Sequence, residues 1–352
     1  MPMTAFGISL RPWLALAVSA AGALVCVSLG TVLPWMMGPM VAMALASVAG
    51  LPVSRPPLAM TVGQVVIGSA LGLFFTQAVL TQMGALVGYL IAAALFAFVL
   101  GVVCACVLTR LSGCDSRTAF FASLPGGAIE MTNIAARLGG REDWVAAAHA
   151  LRIVLVVLTV PPLLTHSGVH GDEVWAESTA QVHYSVLVSM MLLSVCAGTL
   201  LSWCKVPNSW LIGPLLVTAL ITGLGLEGSA MPRWASNAAQ LLIGCALGSR
   251  FDAAFLRAGP RFMLAVGVTI FLGMALAAVF GYALAQVSGI QVPTAILATA
   301  PGGVAEMSIT AKALQLGVPV VTSFHVTRMA FLVLATGPLF LFHQRYVLRT
   351  DR

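Results

Sequence analysis

Residues 125–132 read Pro-Gly-Gly-Ala-Ile-Glu-Met-Thr, and residues 301–308, 176 positions later, read Pro-Gly-Gly-Val-Ala-Glu-Met-Ser. The same offset relates a histidine and an arginine that follow each copy: His149 with His325, and Arg152 with Arg328. No gap is needed between the proline and the arginine of either copy. The chain therefore carries two copies of one polar site, and chance is a poor explanation for them.

The composition predicts an integral membrane protein. Of the 352 residues, 60% are hydrophobic and only 8% are charged, whereas soluble domains average about 25% charged residues. The formal charge of +6 comes almost entirely from residues in short connections between apolar runs, where they report membrane orientation rather than nucleic acid binding. The seven cysteines form no Cys-x-x-Cys pair, which makes metal or redox chemistry a weak interpretation.

Six apolar segments can be drawn in each half of the chain, most of them near the roughly 20 residues that a spanning helix needs. We predict two repeats, residues 1–175 and 176–352. The segments of the first are 12–30, 32–50, 57–75, 83–109, 116–136 and 143–165, and those of the second are 182–203, 209–226, 232–250, 261–287, 292–312 and 318–342. The first segment resembles a signal peptide, but its copy in the second repeat predicts a retained helix.

Further matches extend the duplication beyond the opening motif. Trp35 to Pro39 corresponds to Trp210 to Pro214, with a Gly-Pro pair in each. Gln64, Gly68 and Gly72 correspond to Gln240, Gly244 and Gly248. The glycine spacing is the small-xxx-small pattern of tightly packed membrane helices.

The lysines and arginines favour an inverted second repeat. If all six segments span, the basic residues divide eight inside and seven outside, which is no bias. If the fifth segment of each half is re-entrant, thirteen lie inside and only Arg233 and Lys312 lie outside, a strong positive-inside signature. A broken helix that fully crosses would also suit the Pro-Gly-Gly sequence. We therefore expect an all-α polytopic membrane protein of two inverted repeats, each with about five spanning helices and one broken or re-entrant segment.

The repeated site has the features of an anion-binding site. Where the helix resumes after Gly126-Gly127 and Gly302-Gly303, its free N–H groups and positive dipole end attract anions. Glu130 and Glu306 lie in that first turn, and ionisable residues inside a membrane are costly enough to favour a function, here proton coupling, over simple capping.

The histidines and arginines leave two interpretations open. His149 and Arg152 share a helix face, and Arg152 lies about 14 Å into its segment, near the bilayer midplane. They form part of the solute site, or they belong to a buried Glu–His–Arg network that locks the broken segment to the next helix.

Together these arguments define the predicted site. The candidate solute-binding residues are Gln64, Gly126, Gly127, Thr132, Asn133 and Arg152 in the first repeat, and Gln240, Gly302, Gly303, Ser308, Thr310 and Arg328 in the second. The candidate proton-coupling residues are Glu130, His149, Glu306 and His325. We expect no cofactor and no metal. His166, His170 and His183, with Asp172 and Glu173, are better explained as an external solvated linker than as ligands.

The paired Pro-Gly-Gly-x-x-Glu-Met and Trp-x-x-Gly-Pro segments resemble the AbrB-type duplicated bacterial membrane proteins over nearly the whole chain. The resemblance implies a polytopic protein of the bacterial inner membrane. That family carries labels naming an ammonia monooxygenase and a regulator of gene expression. Oxygenase chemistry would need several converging histidines or carboxylates, and direct DNA regulation would need a soluble module that this chain lacks.

The sequence thus predicts a secondary transporter rather than an enzyme, with both termini cytoplasmic. It would move a small anionic or polar solute, coupled to protons, through a midplane site formed by both broken segments. The expected partners are the lipid bilayer, the solute, protons and possible further copies of the chain, but no nucleic acid. The alternative is a membrane sensor that binds a ligand without moving it. A metal-dependent monooxygenase is a weaker third.

Overall fold

The computed structural model describes residues 4–5, 8–168, 171, 181–226, 229–251 and 258–346. Within these ranges the regular structure is helical, apart from an antiparallel pairing of two residues each, β1 (Thr4–Ala5) with β2 (Ile8–Ser9). The predicted all-α class is confirmed. His170, Asp172 and Glu173 of the predicted linker, and the basic residues Arg257, Arg349 and Arg352, lie outside the described residues.

The helix bounds repeat as the sequence does. The first half contains α1 (Arg11–Ser28), α2 (Pro34–Val48), α3 (Ala59–Gly72), α4 (Gln77–Ala85), α5 (Val87–Ser112), α6 (Ser116–Ser123), α7 (Ala128–Arg137) and α8 (Glu142–His166). The second contains α9 (Tyr184–Trp203), α10 (Ser209–Gly223), α11 (Arg233–Gly248), α12 (Pro260–Ser288), α13 (Val292–Thr299), α14 (Val304–Ala313) and α15 (Val318–Tyr346). Helices α6, α7 and α8 start 176 residues before α13, α14 and α15.

Six helices in the described part are long and apolar enough to cross a membrane: α1, α5, α8, α9, α12 and, over Val318–Ala335, α15. Three belong to each half. Large apolar side chains on their outer faces are exposed, among them Leu24, Leu192, Trp203 and Leu264. Such a surface is unfavourable in water and suits a lipid environment.

The second and third segments of each half form shorter helices than their apolar runs predicted. Helices α2, α3, α10 and α11 have 15, 14, 15 and 16 residues, about 21–24 Å at the helical rise, against a hydrocarbon core of about 30 Å. The runs overestimate helix length because they continue into buried turns. Leu73, Phe74 and Phe75, for example, are buried beyond the end of α3, and the chain then bends by 86° into α4.

The two halves interlock through their glycines. In α3, a Cβ added at Gly68 would overlap the carbonyl oxygen of Leu211 in α10. The counterpart in α11, Gly244, approaches the carbonyl oxygen of Met36 in α2 in the same way. The predicted small-xxx-small packing is therefore confirmed, and it joins each half to the other rather than to itself. The main hydrophobic core accordingly contains buried residues of both halves.

Each broken segment folds back on itself as a helical hairpin. Arg117, at the start of α6, donates from Nη1 to the carbonyl of Leu138, just past α7, at 3.0 Å. The backbone N–H of Arg141 donates to Thr118 Oγ1 at 2.9 Å. In the second half the N–H of Gly317, beyond α14, donates to Thr294 Oγ1 in α13 at 3.3 Å. A straight path through the 8 and 10 residues of α6 and α7 would separate their ends by about 27 Å.

Candidate functional site

The arginine of each half holds the tip of its own hairpin. Arg152 in α8 donates from Nη1 to the carbonyl of Leu124 at 2.8 Å and from Nη2 to that of Gly126 at 3.3 Å. Arg328 in α15 donates to the carbonyls of Ala300 and Gly302 at 2.6 and 2.5 Å. These carbonyls lie at or just beyond the ends of α6 and α13. A helix C-terminus leaves its last carbonyls without intrahelical partners and favours a cation, so the arginine satisfies both needs.

The histidines make the equivalent contact one turn earlier. Nε2 of His149 lies 3.0 Å from the carbonyl oxygen of Phe121, and Nε2 of His325 lies 3.0 Å from that of Leu297. Because a carbonyl only accepts, Nε2 carries the hydrogen in both rings. Both Nδ1 atoms are buried without a hydrogen-bond partner among the described residues.

The histidines and arginines join each hairpin to the following helix, as the predicted Glu–His–Arg network would, but they do so through backbone carbonyls. Glu306 interacts with Arg152 electrostatically. Within the described part of the chain, neither Arg152 nor Arg328 has a carboxylate oxygen within 4.0 Å. Backbone carbonyls, not glutamates, lock each hairpin to the following helix. Sequence spacing could place the arginines at the hairpins, but it could not distinguish a side-chain partner from a main-chain one.

Glu130 and Glu306 instead fold back over their own helix ends. Oε2 of Glu130 lies where a Cβ of Gly127 would be, and Glu306 stands in the same relation to Gly303. Each glutamate is the third residue of its helix, the position from which a carboxylate reaches back to the N-cap in a capping box. The glycines leave room for these carboxylates, which explains the second glycine of each Pro-Gly-Gly.

One cavity of about 800 Å³ lies against both hairpin tips. It brings together most of the predicted residues: Gln64, Gly126, Gly127, Glu130, Thr132, Asn133, Arg152, Gly302, Gly303, Glu306, His325 and Arg328. The two copies of the motif thus contribute to a single site. Their arginines are 8% and 6% exposed.

Four predicted residues are placed elsewhere. His149, Gln240, Ser308 and Thr310 are not among the residues that line the cavity. The hydroxyl of Thr322 donates to that of Ser308 at 2.8 Å, which ties α15 to α14. The Thr310 hydroxyl donates to the carbonyl of Glu306 within its own helix at 2.8 Å. These contacts indicate that Ser308 and Thr310 contribute to helix packing.

The cavity also contains polar residues that the sequence reasoning missed, among them Arg55, Asp143, Asn208, Trp210 and Arg250. Arg250 interacts electrostatically with both Glu130 and Glu306, and Asn208 Oδ1 accepts from Gln64 Nε2 at 2.7 Å. The two arginines entered the sequence argument only as loop charges. The sequence could have pointed to Arg250 as a site residue through its position, two residues after Gly248 at the end of a duplicated segment.

The arginines outnumber the acidic groups around the cavity. Four arginines (Arg55, Arg152, Arg250 and Arg328) and three acids (Glu130, Asp143 and Glu306) line it, which gives a formal charge of +1. Both glutamates are already engaged at helix ends, where the dipole attracts them. The site therefore has the electrostatic character of an anion-binding site.

The site is asymmetric although the sequence around it is duplicated. Ile129, in the first turn of α7, is 63% exposed, whereas its counterpart Ala305 in α14 is 6% exposed. Glu130 is half-buried, and Glu306 is 5% exposed. The cavity is therefore open on the α7 side, where Arg55 is also exposed.

Comparison with known proteins places the chain in a family. An uncharacterized protein YhjN of Bacillus subtilis (strain 168) is 27% identical over an alignment covering 96% of this chain and 94% of that protein. A protein named putative regulator AbrB, of Escherichia coli (strain K12), is 27% identical over 86% of this chain and 87% of its own length. The family described as transition state regulatory protein AbrB matches residues 35–343. The chain therefore belongs to the AbrB family.

Proposed function

We propose that this protein is a secondary transporter that moves a small anionic or polar solute across the bacterial inner membrane, with both termini in the cytoplasm. The observation that carries the proposal is the meeting of two broken segments, one from each half, at a single cavity lined by buried arginines. Paired discontinuous helices in corresponding positions are typical of transporters with inverted repeats, in which such helix ends form the solute site near the midplane.

The asymmetry of the site supports movement rather than static binding. If the two repeats are inverted, the exposed α7 and the buried α14 belong to opposite sides of the membrane. Exchanging their environments would close the cavity on one side and open it on the other, which is alternating access. The positive-inside distribution supports an open side that faces the cytoplasm.

Glu130 and Glu306 are the proposed proton-coupling groups. Each is an ionisable side chain at the cavity, and protonation would remove its charge from the helix end over which it lies. A change of this kind alters the charge available to a solute anion. Transport and proton uptake would then be linked at the same place.

Flux measurements test the proposal. Proteoliposomes with an imposed pH gradient should accumulate an anionic solute, and a Glu130→Gln, Glu306→Gln double variant should lose the dependence on the gradient. The exposed Glu142, at the start of α8, offers a matched control, and Glu142→Gln should leave the gradient dependence unchanged. Full proton-linked flux in the double variant would contradict the coupling role.

The second candidate is a membrane sensor or regulatory protein, favoured by the names of the family and of the Escherichia coli relative. It would bind its ligand in the same cavity and transmit a conformational change to a partner. Saturable ligand binding without flux in sealed vesicles would favour the sensor over the transporter.

A further inference from the structure

The two helix ends at the cavity each hold a carboxylate that belongs to the protein. Glu130 lies over Gly127 at the start of α7, and Glu306 lies over Gly303 at the start of α14. Both helices have 10 residues, long enough for a dipole that attracts an anion at the N-terminus. The N-termini of α7 and α14 therefore both accommodate a carboxylate group.

The arginines provide a second, independent indication. Arg152 and Arg328 are more than nine-tenths buried and line the cavity. Each has an Nε atom without a hydrogen-bond partner among the described residues. A guanidinium has five N–H donors in a fork that matches a carboxylate, and the contacts to the hairpin carbonyls engage only Nη1 and Nη2. Glu306 interacts with Arg152 electrostatically, but no carboxylate oxygen among the described residues lies within 4.0 Å of either arginine. The site therefore has fewer negative charges close to its buried cations than it can hold.

The rest of the lining indicates that the anion has an organic body. Apolar side chains of Met60, Ile153, Leu247, Val304 and Met329 share the cavity with the arginines. A volume of about 800 Å³ lies within the usual range for small-molecule sites. An inorganic oxyanion would leave these apolar surfaces without a contact.

From these observations we infer that the solute is an organic carboxylate, and that its carboxylate competes with Glu130 and Glu306 for the helix ends and the arginines beside them. The inference rests on the proposed transport function and names its substrate class. The solute anion binds when a glutamate takes up a proton and leaves its helix end. Binding of the anion is thus coupled to binding of a proton, because the proton neutralises the glutamate carboxylate that the anion replaces at the helix end.

The predicted pH dependence follows from this competition. Glutamates are protonated at low pH, so the carboxylate solute binds more tightly as the pH falls. The other charged or titratable groups that line the cavity are Arg55, Asp143, Arg152, Arg250, His325 and Arg328. The variants below assign the change in binding to the glutamates.

Calorimetric binding to the purified full-length protein in detergent tests the inference. The probes are sodium succinate, sodium butyrate, sodium sulfate and the uncharged succinamide, at pH 5.5 and pH 7.5. We expect at least one of the two carboxylates to bind, at least about tenfold more tightly at pH 5.5, and neither sulfate nor succinamide to bind comparably. Absence of binding by both carboxylates, or equal binding of sulfate, overturns the inference.

Two variants assign the effect to the proposed groups. Glutamine can also serve at the third position of a capping box, so Glu130→Gln with Glu306→Gln should fold and should bind the carboxylate with no pH dependence. The control Glu142→Gln should keep the dependence of the parent protein. A double variant that retains the full pH effect overturns the competition with the glutamates.

Failure of this inference and failure of the transport proposal are distinguishable. Carboxylate binding without flux would retain the ligand class and remove the transporter. Proton-linked flux of another solute, with no binding by either carboxylate, would retain the transporter and remove the ligand class.

Discussion

At the scale of single residues, each side chain that we propose to function at the hairpin tips also has a structural contact. The arginines hold backbone carbonyls at the end of one helix, and the glutamate carboxylates lie over the start of the next. The repeat predicted these residues because both copies retain them. It could not predict Arg55 and Arg250, because positions 231 and 74, at the 176-residue offset from them, hold Met231 and Phe74.

Replacing the second glycine of a hairpin tip should remove its cap. The Cβ of Gly303→Ala would occupy the place of the Glu306 carboxylate, and we expect the free energy of unfolding to fall by about 1–2 kcal/mol. Thermal unfolding in detergent measures the loss. Gly267→Ala in α12 is the control, since an added Cβ there meets nothing within 4 Å. Equal stability of the two variants would contradict the capping role.

Exchanging the second arginine for lysine should also destabilise the protein. The single ammonium of Arg328→Lys cannot contact the carbonyls of Ala300 and Gly302 as a planar fork does. One buried carbonyl then loses its partner, at a cost of about 1–3 kcal/mol. Denaturant unfolding compares it with Arg233→Lys at an exposed position, for which a change within about 0.5 kcal/mol is expected. A similarly small change for Arg328→Lys would argue against the bridging contact.

At the scale of elements, hairpins and short helices differ in how well the sequence predicts them. Pro-Gly-Gly located both breaks, since proline removes a backbone donor and glycine costs helix stability. The ends of α3 could not be read from hydropathy, because its turn is built from buried Leu73, Phe74 and Phe75. Burial by other helices, rather than by lipid, keeps that turn apolar. A hydropathy window cannot distinguish the two environments.

The hairpin geometry predicts a specific cross-link. A Cβ at Gly140 would lie 3.5 Å from the backbone nitrogen of Thr118, so cysteines at these two positions should form a disulfide under mild oxidation. The experiment uses a variant without the seven native cysteines, and a gel shift after proteolysis between the two sites detects the bond. Cysteines at Thr118 and Ala128, the base and the tip of the hairpin, form the control pair. No bond between 118 and 140 would contradict the hairpin.

At the scale of the whole molecule, the proposed inversion predicts which surfaces a reagent can reach. Arg141 follows the first hairpin, Ala313 ends the second, and both are exposed. In the cysteine-free background, an impermeant maleimide should label Ala313→Cys in intact cells and Arg141→Cys only in inverted vesicles. Labelling of both positions from one side would contradict the inverted arrangement and with it the alternating-access proposal.

The interlocked glycines also constrain how the chain is made. Gly68 packs against Leu211 and Pro214, which the ribosome adds about 150 residues later, roughly 7 to 30 seconds at ordinary rates of synthesis. During that interval the glycine surface of α3 has no α10 to pack against. The first half must therefore wait in the membrane with its packing surface uncovered. Mutations at Gly68 or Gly72 should consequently reduce the yield of assembled protein during biogenesis, before any effect on a finished molecule.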